Sequence, residues 1–203
     1  MRLNSRDDLR MANQLHSSML QQRDENNEEG NIMDRMLMGA FVGQGGLTLA
    51  LVLAFGVGVV AGLRSMTAPA VMAWAAHLGW IHLAGSRLAF MGSPWAVGIF
   101  TLGAIGEFVA DLLPGTPSRT AAGGLIARIV TGSLSGACLG VAGSASPWAA
   151  ALLGAVGALA GAFGGYQMRV GLVRALKVPD FAIAIPEDLV AIGLALFFIS
   201  RFW

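Results

Sequence analysis

Long apolar stretches separated by short polar junctions make up most of the chain after residue 35. A helix needs roughly 20 mainly apolar residues to cross a hydrocarbon core of about 30 Å. Stretches that reach or approach this length run over residues 40–63, 68–83, 94–113, 120–141, 147–168 and 186–203. The pattern therefore predicts an all-α fold, a polytopic membrane helix bundle with about six transmembrane helices.

The first 35 residues differ sharply from the rest, because they hold 12 of the 25 charged residues and few apolar ones. Such a segment cannot bury a core, so we expect a disordered polar tail at 1–35 and an integral membrane domain at 36–203. The tail is not a signal peptide, since the first apolar stretch begins only after Arg35 and leads into a full-length span. Methionines at 33, 36 and 38 leave open whether the native chain starts internally.

The stretch at 68–83 is short and leaves two topologies open. In the favoured one, all six stretches cross, and Arg64 lies on the same side as the junctions at 107–119 and 169–188. In the alternative, five helices cross and residues 64–83 form a re-entrant hairpin, with the N-terminus inside and Arg64 facing outward.

The prolines predict where helices begin. Pro69, Pro94, Pro147 and Pro186 stand at or near the start of a stretch, where the missing N–H of proline is tolerated. The other three prolines, at 114, 117 and 179, fall in connections.

The composition agrees with a membrane location and excludes several other classes of protein. Hydrophobic residues make up 55% of the chain and charged residues 12%, about half the usual share. Lysine and arginine (13) nearly balance aspartate and glutamate (12), so no basic stripe is available for nucleic acid. The single cysteine, Cys138, excludes an intramolecular disulfide and a Cys-based zinc site.

No recognised catalytic motif is present, so the sequence indicates a protein that is not an enzyme. The nucleophile elbow, the zinc-protease helix motif and the phosphate-binding loop are all missing. His77 and His82 are five residues apart and do not share a helix face, so they are poor ligands for a metal or haem. We expect no catalytic residues, no metal and no cofactor.

Glycines recur every fourth residue in the fourth and fifth stretches. Small residues at this spacing let two helices approach closely in lipid, where no hydrophobic effect drives helices together. We therefore expect the fourth and fifth helices to pack against each other through two glycine faces: Gly132, Gly136 and Gly140 on one, and Gly157, Gly161 and Gly165 on the other.

The charges of the body fall mainly on one side in the six-crossing topology. That side holds six of the eight basic residues after residue 35, so the positive-inside bias makes it cytoplasmic and places both termini outside. Arg169, Arg174 and Lys177 are most simply explained as topology-setting charges in a loop.

Several of these charges lie at membrane depth and form a candidate polar site. Glu107 and Asp111 are four residues apart and share one helix face, and their repulsion calls for a nearby cation, which Arg128, Arg119 or Arg64 could supply. The candidate pathway residues are Arg64, Glu107, Asp111, Arg119, Arg128, Arg169, Glu187 and Asp188. The alternative hypothesis, which the sequence supports equally, is that these charges form a static structural ion-pair cluster.

Two parts of this candidate site have a local explanation. Glu187 and Asp188 follow Pro186, so their carboxylates are placed to cap the start of the sixth helix. Arg64 lies in the segment Gly62-Leu63-Arg64-Ser65-Met66-Thr67-Ala68-Pro69, which is typical of an interrupted helix that exposes backbone groups to a solute.

That segment also supports a family resemblance. Together with Asp111-Leu112-Leu113-Pro114, Pro117-Ser118-Arg119-Thr120, the glycine-spaced helix after Arg128, the segment 161–169 and Glu187-Asp188, it resembles a family of small bacterial multi-pass membrane proteins of unknown function. The resemblance covers roughly 47–200 and implies the bacterial cytoplasmic (inner) membrane. The chain departs from the pattern at Leu112, where a basic residue is expected.

The leading functional hypothesis is a pathway for a small solute or ion with a charged site in the cytoplasmic-side half. The alternative is a non-catalytic membrane scaffold or assembly factor, in which the glycine faces bind neighbours. The lipid bilayer is the expected partner, and a homo-oligomer is compatible with both hypotheses. A water-lined cavity reaching Arg128 and Glu107 favours the pathway, whereas a dry bundle with all charges paired favours the scaffold.

Overall fold

The computed structural model describes residues 45–112, 122–176 and 180–202, and these fold as helices joined by turns. The six α-helices are α1 (Gly45–Leu63), α2 (Thr67–His77), α3 (Pro94–Leu112), α4 (Ala122–Ala142), α5 (Pro147–Leu176) and α6 (Asp180–Ile199). Short 3-10 helices lie at Ala89–Gly92 and Ser200–Phe202. The predicted all-α class is confirmed. The tail predicted at 1–35 and Arg119 fall outside the described residues.

Three helices in the described ranges are long and apolar enough to cross a membrane. They are α1 with 19 residues, α4 with 21 and α5 with 30, and their mean hydropathies are 2.3, 1.6 and 1.6. At 1.5 Å per residue they measure about 28, 31 and 45 Å, against a hydrocarbon core of about 30 Å. These lengths agree with the predicted helical membrane bundle.

The second stretch does not form a full-length helix. α2 has 11 residues, about 16 Å, so it reaches across only about half of a hydrocarbon core. The chain continues from Leu78 through turns and the 3-10 helix to the start of α3. The second segment is therefore half helix and half irregular connection.

α2 and α3 run antiparallel, which decides between the two topologies. Trp74 Nε1 donates to Thr101 Oγ1 at 3.0 Å, and the Ser65 N–H donates to Glu107 Oε1 at 2.9 Å near the end of α3. Residues 64–66 and Glu107 thus lie at the same end of the bundle. The re-entrant alternative, which puts Arg64 on the opposite side from Glu107, does not fit this arrangement.

The start of α6 differs from the expectation. The helix begins at Asp180, six residues before Pro186, so Pro186 lies inside it rather than at its first turn. Proline removes one backbone hydrogen bond but does not prevent helix on both sides. Glu187 and Asp188 are consequently not in the first turn, and the predicted capping role is wrong.

The end of α5 also differs from the expectation. The apolar stretch stops at Met168, but the helix continues to Leu176. Arg169 and Arg174 are therefore helical residues and not loop residues, and Lys177 lies outside the described part. Charged residues with long stems are compatible with a helix that extends past the hydrocarbon boundary.

The glycines of α5 pack on two different helices. A Cβ built on Gly136 would lie 3.1 Å from the Cα of Gly154, so α4 presses on α5 there. Gly157 and Gly161 instead face α1, where a Cβ on either would lie 3.0 Å from backbone atoms of Val59. The expectation that these two glycines contact α4 is wrong, because α5 contacts α1 through these glycines and α4 through others.

Candidate functional site

The break between α1 and α2 is held by a carboxylate from α3. Glu107 Oε1 accepts from the Ser65 N–H at 2.9 Å and from the Ser65 hydroxyl at 3.1 Å, and Oε2 accepts from the Met66 N–H at 2.9 Å. Met66 immediately precedes α2, and carboxylates are favourable at this position because helix N-termini leave N–H groups without helical partners. Glu107 thus caps α2 from another helix.

Arg128 joins α4 to this break. It is 8% exposed, and its Nε–H donates to the carbonyl of Gly62 at 3.0 Å, at the end of α1. One of its terminal nitrogens lies 3.9 Å from Glu107 Oε1, which is an ion pair without a direct hydrogen bond. The guanidinium therefore faces both the carboxylate and the C-terminal end of α1.

Arg64 is the most buried charge in the described residues, with 1% of its surface exposed. It forms an ion pair with Asp188 on α6. Its guanidinium carbon also lies 5.2 Å from the centre of the Phe108 ring, within the range of a cation–π interaction. Arg64 therefore links the α1–α2 break to α3 and α6.

A third ion pair joins α5 to α6. Arg169 and Glu187 approach to 3.7 Å, and both side chains are largely buried. Since Asp188 is the next residue along α6, the two adjacent acids connect that helix to α5 and to the α1–α2 break.

The structure thus gathers six of the eight candidate pathway residues at one end of the bundle. We refer to this set as the charged cluster; its members are Arg64, Glu107, Arg128, Arg169, Glu187 and Asp188. The remaining two candidates, Arg119 and the side chain of Asp111, lie outside the described part of the chain.

Exposed tryptophans lie at the end of the bundle opposite the charged cluster. Trp95 and Trp148 are 81% and 82% exposed in the first turns of α3 and α5, at the opposite end of the bundle, as expected for an interfacial aromatic belt. Glu107 lies 12 residues after Trp95 along α3, about 18 Å.

The sequence did not identify Ser65 and Met66 as ligands of Glu107. Two of these three interactions come from backbone N–H groups, whose direction depends on the helix break and not on residue type. The interrupted segment at 62–69 was the only signal that backbone groups would be available there.

The sequence also did not indicate that two hydroxyl groups would be buried without hydrogen-bond partners in the described part of the chain. Thr67 Oγ1, at the first residue of α2, and Ser135 Oγ, on α4, are buried and have no hydrogen-bond partner among the residues that the structure describes. Ser135 lies seven residues after Arg128 and shares its helix face with it. Within the described ranges, no group of three or more histidine, cysteine or acidic side chains is arranged to hold a metal.

Comparison with known families gives one match. A family model described as a domain of unknown function, DUF4126, matches residues 51–201. This range agrees with the part of the chain that carries the resemblance found in the sequence. No curated protein and no solved structure matches the chain.

Proposed function

We propose that this chain, which belongs to the DUF4126 family, forms a membrane pathway for a small solute or ion, with the charged cluster as its polar site. The observation that carries the proposal is the burial of three arginines and three acids among the helices of a membrane-type bundle. Ionisable residues inside a membrane domain commonly mark solute or ion pathways.

Stability alone does not account for these charges. An arginine or acid at the bilayer centre costs roughly 2.5 to 3.5 kcal/mol on insertion scales. Replacing a buried ion pair by apolar residues of similar volume is often neutral or stabilising, so a purely structural cluster would bring little advantage. A functional requirement for charge explains why the bundle contains it.

The shape of the second segment supports the same function. α2 is a half-length helix whose start lies within the charged cluster, and Glu107 is bound to its preceding N–H groups. Discontinuous helices of this kind present backbone donors to solutes in many transporters. The cluster and the break together form a polar site that residues from α1, α3, α4, α5 and α6 share.

The proposal places the cluster on the cytoplasmic side of a bacterial inner membrane. Arg64, Arg128, Arg169 and Arg174 all belong to this end of the bundle, and the positive-inside bias makes an arginine-rich end cytoplasmic. The bacterial location follows from the family resemblance of the sequence.

One observation favours a second candidate, a membrane scaffold or assembly factor. Each acid of the charged cluster has an arginine partner: Glu107 with Arg128, Asp188 with Arg64 and Glu187 with Arg169. Paired charges of this kind can hold helices together without having any further role. In this case the lipid-facing surface, and not the cluster, would carry the function.

Flux through proteoliposomes separates the two candidates. The full chain is reconstituted, and uptake of potassium, chloride, protons, acetate and phosphate is measured beside protein-free liposomes. The pathway predicts uptake of at least one of these ions, and it predicts a change in that uptake when Arg128→Met is combined with Glu107→Gln.

Leu152→Ala is a suitable control, because Leu152 is 67% exposed and lies near the start of α5, at the end of the helix remote from Arg169. It should leave uptake unchanged. If wild-type proteoliposomes match protein-free liposomes for every ion of the panel, the pathway is refuted for these ions and the scaffold gains support.

A further inference from the structure

The α1–α2 break has the chemistry of an anion-binding site that Glu107 occupies. Its donors are the N–H and hydroxyl of Ser65 and the N–H of Met66, all within 3.1 Å of a carboxylate oxygen. The guanidinium of Arg128 faces the same carboxylate at 3.9 Å. Backbone N–H groups at a helix start, a hydroxyl and an arginine are the groups with which proteins bind carboxylates and phosphates. We refer to this set of donors as the anion cradle.

Thr67 provides a further polar group that Glu107 leaves unused. This residue follows Met66 directly and is 3% exposed, and its hydroxyl has no hydrogen-bond partner among the described residues. Leaving a buried hydroxyl without a partner is unfavourable, so the site accommodates one more hydrogen bond than it makes in this conformation. The Glu107 carboxylate does not supply it in this conformation, because its oxygens accept from Ser65 and Met66 and not from Thr67.

The number of oxygen atoms in the ligand distinguishes a tetrahedral oxyanion from a carboxylate. Tetrahedral oxyanions such as phosphate carry three or more oxygens, whereas acetate carries two. The donor set of the cradle plus Thr67 therefore matches a tetrahedral oxyanion better than a carboxylate.

We infer that the α1–α2 break binds a small oxyanion of the phosphate class when the Glu107 carboxylate withdraws, with Ser65, Met66, Thr67 and Arg128 as its ligands. The inference rests on the proposed pathway and names the class of its solute. Glu107 then acts as a resident anion that exchanges with the solute. Because Thr67 and Arg128 are only 3% and 8% exposed, the ligand is a small free anion and not a lipid headgroup.

The test removes the resident carboxylate. Glu107→Ala in the full chain, purified in detergent, is titrated with inorganic phosphate, and the melting temperature is followed by tryptophan fluorescence. The variant should gain stability with phosphate and saturate, because a ligand that binds only the folded state raises its melting temperature. Wild type should gain less, since Glu107 fills its cradle.

Two comparisons make the result specific. Acetate should require about tenfold higher concentration than phosphate, the factor that one hydrogen bond contributes to a binding constant. Adding Thr67→Val to Glu107→Ala should abolish this preference, because valine keeps the shape of threonine and removes the hydroxyl. Glu187→Ala, which removes a different carboxylate of the charged cluster, should respond to phosphate no more than wild type does.

If Glu107→Ala fails to fold, Glu107→Ser replaces it in calorimetric titrations with phosphate, since serine also empties the cradle and keeps a small polar group at this position of α3. The absence of saturable phosphate binding in the folded variant overturns the anion site. Equal responses of the Glu107 and Glu187 variants overturn it as well.

Binding of a lipid headgroup and failure of the proposed pathway would give different experimental results. Stabilisation by phosphatidylglycerol but not by inorganic phosphate would show that the site binds a headgroup, which contradicts the free-anion inference. Phosphate binding without any ion uptake in proteoliposomes would uphold the site and count against the proposed pathway. Ion uptake without phosphate binding would leave the pathway standing and refute the site.

Discussion

The contact between α5 and α1 at Gly161 can be tested with a matched pair of glycines on one helix. A Cβ built on Gly161 would lie 2.9 Å from the carbonyl carbon of Val59 and 3.0 Å from its Cα, and backbone atoms cannot move aside without moving the helix. Gly164, about one turn further along α5, is exposed, and a Cβ added there would have no atom within 4 Å. The two alanine variants therefore add the same methyl group to a crowded and to an open position.

The expected difference follows from packing and helix propensity. Overpacking costs typically about 1 to 3 kcal/mol, so Gly161→Ala should destabilise the protein by this amount. Gly164→Ala should stabilise it by about 0.5 to 1 kcal/mol, because alanine loses less backbone entropy in a helix than glycine. The two variants should thus differ by about 1.5 to 4 kcal/mol, or roughly 3 to 16 °C in melting temperature for a chain of this size.

The measurement is thermal unfolding of both purified variants in the same detergent, followed by tryptophan fluorescence. Gly161→Ala should melt below wild type and Gly164→Ala at or above it. A Gly161→Ala variant that is as stable as the Gly164→Ala variant would show that α1 and α5 do not approach as closely as the structure indicates.

Two further predictions concern the charged cluster and the ends of the bundle. Arg128→Met alone should destabilise the protein more than Arg128→Met combined with Glu107→Gln, because the single change leaves a buried carboxylate without this partner; simple additivity of the two effects would show that the residues are not coupled. In a Cys138→Ala background, Ser144→Cys and Leu176→Cys should react with a membrane-impermeant thiol reagent from opposite sides of the membrane, and labelling of both from one side of intact cells would contradict the proposed topology.

The sequence was sufficient to predict that the charges would meet at one end. Uncharged turns alternate with charged junctions along the chain, and antiparallel crossing of successive segments brings every second junction together. The convergence of Arg64, Glu107 and Arg128 follows from this alternation alone.

The ion-pair partners could not be predicted in the same way. The sequence offered Arg64, Arg119 and Arg128 as alternative partners for the acids of α3, and it did not suggest the ion pair that Arg64 forms with Asp188 on α6. Partner choice depends on which helices are neighbours at the cluster, and hydropathy contains no information on lateral order. The capping role expected for Asp188 failed for a related reason, since proline inside α6 has the same local sequence pattern as proline at a helix start.

The glycine contacts and the charged cluster meet in one residue, Gly62. A Cβ built there would lie 2.6 Å from the backbone nitrogen of Ala162 on α5, and the Gly62 carbonyl accepts the 3.0 Å hydrogen bond from Arg128 on α4. Since α5 contacts both α1 and α4, the separation of these helices determines whether Arg128 reaches that carbonyl.

Gly62→Ala should therefore weaken the coupling between Arg128 and Glu107 as well as the packing. A shift of about 1 Å between helices takes a hydrogen bond of ordinary length beyond its useful range. Repeating the double-mutant cycle of Arg128 and Glu107 in a Gly62→Ala background measures this, and we expect the coupling energy to fall. Gly46→Ala, on the same helix with no atom within 4 Å of an added Cβ, is the control that should leave the coupling unchanged. An unaltered coupling energy in the Gly62→Ala background would show that helix packing and cluster geometry are independent.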